Sequence, residues 1–128
     1  MIFPNGEKLD LIIAKTSKEH SQGLSGIKKD EFPKNKGMLF YYESDDFRQF
    51  WMPNTHFDLA IAFLDKNFKV LSVESHVPHH PSTKEPIPRT GTYWCRHVLE
   101  VRSDSEFAKL LRPGITLKLK KAPSDLER

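Results

Sequence analysis

Asp58, Glu100, Asn54, Thr55 and Trp51 are the residues of this chain whose types suit chemistry at a shared pocket. Two carboxyls facing each other across an open cleft, roughly 5 to 9 Å apart, can cleave a glycosidic bond, with Asp58 and Glu100 as acid and base. The same groups around Trp51 can instead bind a small polar ligand, a glycan or a peptide, the indole supplying an apolar platform and the polar groups orientation. Binding demands less of the geometry, and both readings stand. Each residue also has a plainer role. Trp51 is readable as an ordinary core aromatic, and Asn54 with Thr55 as a turn that satisfies backbone groups. Glu100 lies in an apolar strand on the face shared by Trp94, Arg96 and Val98. A carboxylate buried there alone is costly, so it either pairs with Arg96 or a capped backbone, or walls a pocket with Asp58 and Asn54.

Cys95 and His97 fall on one predicted strand face, a thiol beside a base. Two positions along a strand are roughly 7 Å apart, too far for a direct hydrogen bond between nucleophile and base, so a buried small hydrophobe is the simpler role for Cys95. His76, His79 and His80, with Cys95 or His97, form a weak alternative zinc set, because the HVPHH spacing matches no zinc signature. No metal or other cofactor is expected. The chain has no Gly-rich phosphate loop, no Ser-centred elbow and no Cys-x-x-Cys pair.

A chain of 128 residues, 38% of them hydrophobic, suits one domain spanning 1–128. No apolar run approaches the ~20 residues that a transmembrane helix needs, and the start, MIFPNGEKLDL, has no signal-peptide pattern. One cysteine excludes an internal disulfide. The net charge of +3 comes from scattered residues, so nucleic acid is not an expected partner.

The elements that must position these groups follow in order. Leu9 to Lys15 reads as a strand, and Thr16-x-x-Glu19 as a capping box opening a short helix that Gly23 stops. Gly37 to Tyr42 is a strand, with Arg48 to Met52 returning as its partner after an acidic turn. Met52 to His56 is a polar hinge, and Leu59 to Leu64 is apolar on both faces, hence a central strand covered on each side or closed in a barrel. It forms a hairpin with Lys69 to Glu74. His76 to Gly91, with four prolines, is a long surface loop. Tyr93 to Val101 is a strand, Ser103-x-x-Glu106 a second capping box before a helix to Leu111, and Ile115 to Lys121 a last strand. The fold predicted is α+β: a mainly antiparallel, strongly curved or barrel-like sheet of about seven strands with two short helices.

Gly37-Met38-Leu39-Phe40, Phe50-Trp51-Met52-x-Asn54-Thr55 and Val98-Leu99-Glu100, in that order, resemble the family called domain of unknown function 192. Gln22-Gly23-Leu24, Ile61 to Asp65 and Pro113-Gly114 extend the likeness over nearly the whole chain. The resemblance implies a small β-rich domain of bacteria and archaea, often exported or lipid-anchored, and implies no reaction. It also carries two departures. The family usually has Leu-Asp just before the apolar strand, where this chain has Asp58 one step earlier and Ala60 after Leu59. Positions 58 and 60 share a strand face, so Asp58 is expected to serve the same pocket. A glycine common soon after Leu-Glu is replaced by Val101-Arg102-Ser103. The expected site is thus Trp51, Met52, Asn54, Thr55, Asp58 and Glu100, walled by Met38 and Met52. A third reading makes the motif a folding core and nothing more.

Overall fold

The computed structural model describes residues 1–120. Its main sheet consists of β1 (Asp10–Ala14), β2 (Lys36–Phe40), β4 (Leu59–Leu64), β5 (Val70–Val77) and β7 (His97–Arg102), in the order β1-β2-β7-β4-β5. Only β1 and β2 run parallel. A parallel pair needs a crossover, and residues 15–35 supply it with α1 (Ser17–Gln22) and a single 3₁₀ turn (Lys29–Glu31). Thr16 caps α1 as the sequence predicts, accepting from the Glu19 amide while Glu19 reaches back to the Thr16 amide.

β4 shows why six consecutive apolar residues are needed. Ala60, Ala62 and Leu64 join a core with Phe3, Leu117 and α2 (Glu106–Leu110), whereas Leu59, Ile61 and Phe63 join a second core with Phe32, Phe40 and Phe57 on the other face. The small alanines leave room for α2, and the large residues fill the opposite side. This strand is therefore covered on both faces, and no closed barrel forms among the described residues.

Several boundaries differ from the sequence reading. Arg48 to Met52 does not return along β2, because β1 and β7 already occupy both of its edges. Instead β3 (Asp46–Arg48) pairs with β6 (Tyr93–Cys95) in a separate two-stranded ribbon, so the strands divide five and two. The predicted strand Tyr93 to Val101 breaks at Arg96, whose amide donates to the Leu64 carbonyl. The second helix is capped by Ser105 rather than Ser103: β7 runs on through Arg102, and the Ser103 amide is held by the Asp58 carbonyl. The Ile115 to Lys121 segment makes isolated bridges at Thr116 and Lys118, and Lys121 lies outside the described residues. β5 continues to Val77 and takes His76 out of the predicted loop.

Candidate functional site

Glu100 sits in the middle of β7, opposite Met38 of β2 and Ile61 of β4. Its neighbours along the register are apolar, and they leave it 4% exposed. No hydrogen bond from another described side chain or backbone group holds the carboxyl, and burial alone pushes its pKa up from 4.5 to about 8. At neutral pH the acid is therefore protonated, the state that a desolvated carboxyl without a cation adopts. No side-chain oxygen or nitrogen sealed inside the described residues lacks a partner. The unbonded carboxyl is accordingly the one that opens onto a cavity.

That cavity has a volume of about 280 Å³ and is built from three elements beside Glu100. α1, which fully buries none of its residues, covers it with His20 and Gln22. β3 contributes Phe47 and Arg48, and the segment after it contributes Phe50, Trp51 and Met52. Arg48 is the one lysine or arginine in the wall. Its guanidinium lies 3.4 Å over the Tyr42 ring while Nε donates to the Arg96 carbonyl and NH2 to that of Ser44. It is thus committed away from Glu100, whose pKa carries no contribution from it. Burial raises the Tyr42 phenol, against the pull of Arg48.

The hinge divides its residues between structure and site. Met52 is buried and lines the cavity; Trp51 lines it with its ring 53% exposed and Arg89 5.4 Å from the ring centroid. Trp51 is therefore a rim aromatic and not a core one. Thr55 is buried at the cavity edge, its hydroxyl donating to the Met52 carbonyl at 2.8 Å and accepting from the His80 amide at 3.0 Å. Asn54 makes the turn. Its φ of 52° is left-handed, a region that asparagine tolerates, and its backbone links the Gly26 amide to the Ser82 carbonyl; its side chain does not line the cavity. Met38 lies one pocket over, beside Ile12 and Gly23.

Asp58 turns away from the cavity. Its carboxylate accepts from the amide and ring Nδ1 of His79 and lies 3.0 Å from His76 Nε2. The histidines hold it well below the ordinary carboxylate range, the His79 ring bond first. The one-step displacement explains this: Asp58 precedes β4, where the chain still follows the loop, and the position that faces the sheet is Ala60, packed in the other core. The expectation that Asp58 serves the pocket with Asn54 and Glu100 is thus corrected.

Cys95 and His97 do not share a face either, because the break at Arg96 rotates the strand between them. Cys95 joins the Phe63 core, and burial pushes its thiol up to about 11. His97 is stacked between Tyr41 and Phe68, and its Nδ1 accepts from the Tyr42 amide. Burial, with Arg96 and Arg48 nearby, lowers it to about 4, so it is neutral. Of the three histidines in the weak zinc set, His76 of β5 and His79 of the loop converge on Asp58, while His80 Nε2 donates to the Lys84 carbonyl. Among the described residues no group of three metal-binding side chains is arranged so that it could hold a metal ion.

The sequence reading missed Arg48, Phe47 and the α1 residues. The signal for α1 was present in its composition, since a helix with no apolar stripe has no core to cover. It also missed that the proline-rich loop is the hinge's partner: Met52, Asn54 and Thr55 amides donate to the carbonyls of Pro88, Ser82 and His80. Replacing Thr55 with Val should therefore lower stability by about 1 to 3 kcal/mol, the cost of stranding the buried Met52 carbonyl and the half-buried His80 amide. Urea unfolding checks this, with Thr55→Ser expected to recover most of the loss.

A model of the DUF192 family, described as an uncharacterized ACR, matches residues 1–119. Comparison with functionally curated proteins gives no match. Two crystal structures are similar. A candidate transcription regulator of Sinorhizobium meliloti superposes with a TM-score of 0.72 at 22% identity, over 91% of this chain and 88% of that one. A protein of unknown function from Novosphingobium aromaticivorans superposes with a TM-score of 0.68 at 26% identity, over 92% of this chain and 81% of that one. The first likeness is one of fold.

Proposed function

This chain belongs to the DUF192 family, and we propose that it is a binding module that takes a polar ligand, a glycan fragment or a peptide group, into the cavity above Glu100. One observation carries the reading. An acid that is 4% exposed and without a hydrogen bond from the described residues opens onto a space large enough for a small molecule. Burying a polar group without a partner works against folding, and such destabilised groups concentrate where function requires them. Trp51 at the rim and Met52 inside supply apolar contact, and the Glu100 carboxyl supplies orientation.

The hydrolase alternative needs a second carboxyl facing the same bond. Asp58 is engaged with His76 and His79 outside the cavity, and Glu100 is the only acid among the described residues that line it. Binding is accordingly preferred.

Amide chemical shifts of the labelled protein, titrated with sets of monosaccharides, disaccharides and tripeptides, test this. The expected result is a set of saturating shifts confined to Gln49, Trp51, Thr55 and their neighbours, weakened at least about tenfold by Trp51→Ala, the size of a rim hot spot. Saturating shifts centred elsewhere, with the cavity amides unmoved, would overturn the reading.

A further inference from the structure

We propose that the group the cavity receives is a primary ammonium, carried by a small amine or by a lysine side chain, which seats against the Glu100 carboxylate beside the rings of Phe40, Phe47, Phe50 and Trp51. The inference rests on the cavity being a binding site and names the chemistry of its ligand.

Three observations point the same way. Among the described residues the cavity is lined by one acid and by four aromatic rings besides Tyr42, whose ring is engaged by Arg48 and His20. Ring faces attract cations, worth ~0.5 to 2 kcal/mol each as solvent is removed. The acid has no counter-charge among the described residues: Arg48 is turned to carbonyl partners and to the Tyr42 face, Arg96, just before β7, pairs with Asp45, and Arg102, at the end of β7, pairs with Asp104. Finally, the acid is unbonded where the cavity reaches it. A buried carboxylate is stabilised by a cation bearing hydrogen-bond donors, and an ammonium with an alkyl stem satisfies the carboxylate, the rings and Met52 together.

The proton balance follows. Before binding, Glu100 is protonated; on binding it releases that proton to solvent, and the ammonium keeps its own. Affinity must then rise with pH until the acid is ionised without the ligand. The titratable and charged groups facing Glu100 are Tyr42 and Arg48 across the cavity and His20 on α1, while β2 and β4 present Met38 and Ile61. Burial raises the Tyr42 phenol above its ordinary value, so it stays neutral over that pH range. His20 Nε2 donates to the carbonyls of Ala14 and Tyr41.

Butylammonium, butan-1-ol and butyrate are titrated into the labelled protein at pH 6.0, 6.75 and 7.5. The expected result is cavity shifts with butylammonium, its affinity rising about tenfold per pH unit and falling at least about tenfold in Glu100→Gln, an isosteric change whose folding is checked by the amide spectrum. A glycyl-lysyl-glycine amide capped at its amino end, compared with butylammonium, separates the sources: tighter binding assigns the lysine side chain, equal or weaker binding the free amine, and both support the inference. Butan-1-ol or butyrate binding at least as tightly, or a butylammonium affinity that is flat with pH, overturns the ammonium while the cavity remains a binding site. If none of the probes moves the cavity amides, both readings fall.

Discussion

Glu100→Gln should make the protein more stable at pH 8 by several kcal/mol, raising its melting temperature by roughly 10 °C, and should leave it nearly unchanged at pH 4.5. The sign follows from the direction of the shift. Burial raises the folded-state pKa from 4.5 to about 8, so the stability associated with this group is complete below 4.5 and is lost progressively as pH rises to 8. A displacement of that size corresponds to about 5 kcal/mol as an upper bound, and the cavity's access to water reduces it. His97 acts in the opposite direction. Its pKa is lowered from 6.5 to about 4, so its contribution is complete above 6.5 and is lost as pH falls toward 4. In the native sequence the two opposing slopes offset each other between about pH 4.5 and 6.5, and stability declines above that. In the variant stability rises to about pH 6.5 and then holds. Every other titrating group is common to both proteins, so the difference between their unfolding curves across pH isolates Glu100. Equal stability of the two proteins at pH 8 would show that the carboxyl is not desolvated.

Phe63→Ala should lower stability by about 3 to 5 kcal/mol, the range for emptying a buried phenylalanine site. Phe63 is fully buried on β4, with Tyr93 at 4.3 Å and Phe50 at 6.3 Å between ring centroids, and Phe50 in turn meets Phe40 edge-on at 4.8 Å. This aromatic chain fastens the β3 and β6 ribbon, and the wall that continues into Trp51, onto the sheet. Its loss would remove a large part of a domain stability of ~5 to 15 kcal/mol. Phe47→Ala provides the contrast: that ring is 66% exposed against Trp94, and its removal should change stability by less than about 1 kcal/mol. Urea midpoints with unchanged slopes check both. A Phe63→Ala cost below about 1 kcal/mol would mean that the ribbon is not held by this core.

What was legible in the sequence was what local pattern dictates. The unbroken apolar run from Leu59 to Leu64 announced a strand covered on both sides, the spacing to Lys69 announced its hairpin, whose second strand begins at Val70, and Thr16 with Glu19 announced the first helix. Glu100 was legible as an anomaly, an acid amid residues that bury. What local pattern does not dictate is which edge a short strand finds. β3 had no free partner on β2 and met β6 instead. Likewise, periodicity assigned Asp58 a strand face, but the chain enters β4 only at Leu59, and one residue of difference sent the carboxylate to the loop histidines. Cys95 and His97 were separated by a break at Arg96, set by a hydrogen bond to Leu64 from a strand that is distant in sequence. Asn54 illustrates the converse: the modest local role, a turn, is the one its backbone takes.

The exposed aromatics also acquire a reason in this arrangement. Trp51 at 53% and Phe47 at 66% exposure would be unusual as isolated surface residues of their size, but both border the cavity mouth. Large rings at a rim provide contact area with little loss of side-chain freedom on binding, as at other recognition surfaces.

Ligand binding as proposed requires Glu100 to be held as an unpartnered, protonated acid until the ligand arrives. A carbon-13 titration of the Glu100 side-chain carboxyl, followed by NMR from pH 3 to 10, measures this directly. The predicted result is a single transition with its midpoint near 8; a midpoint near the ordinary value of 4.5 would contradict it.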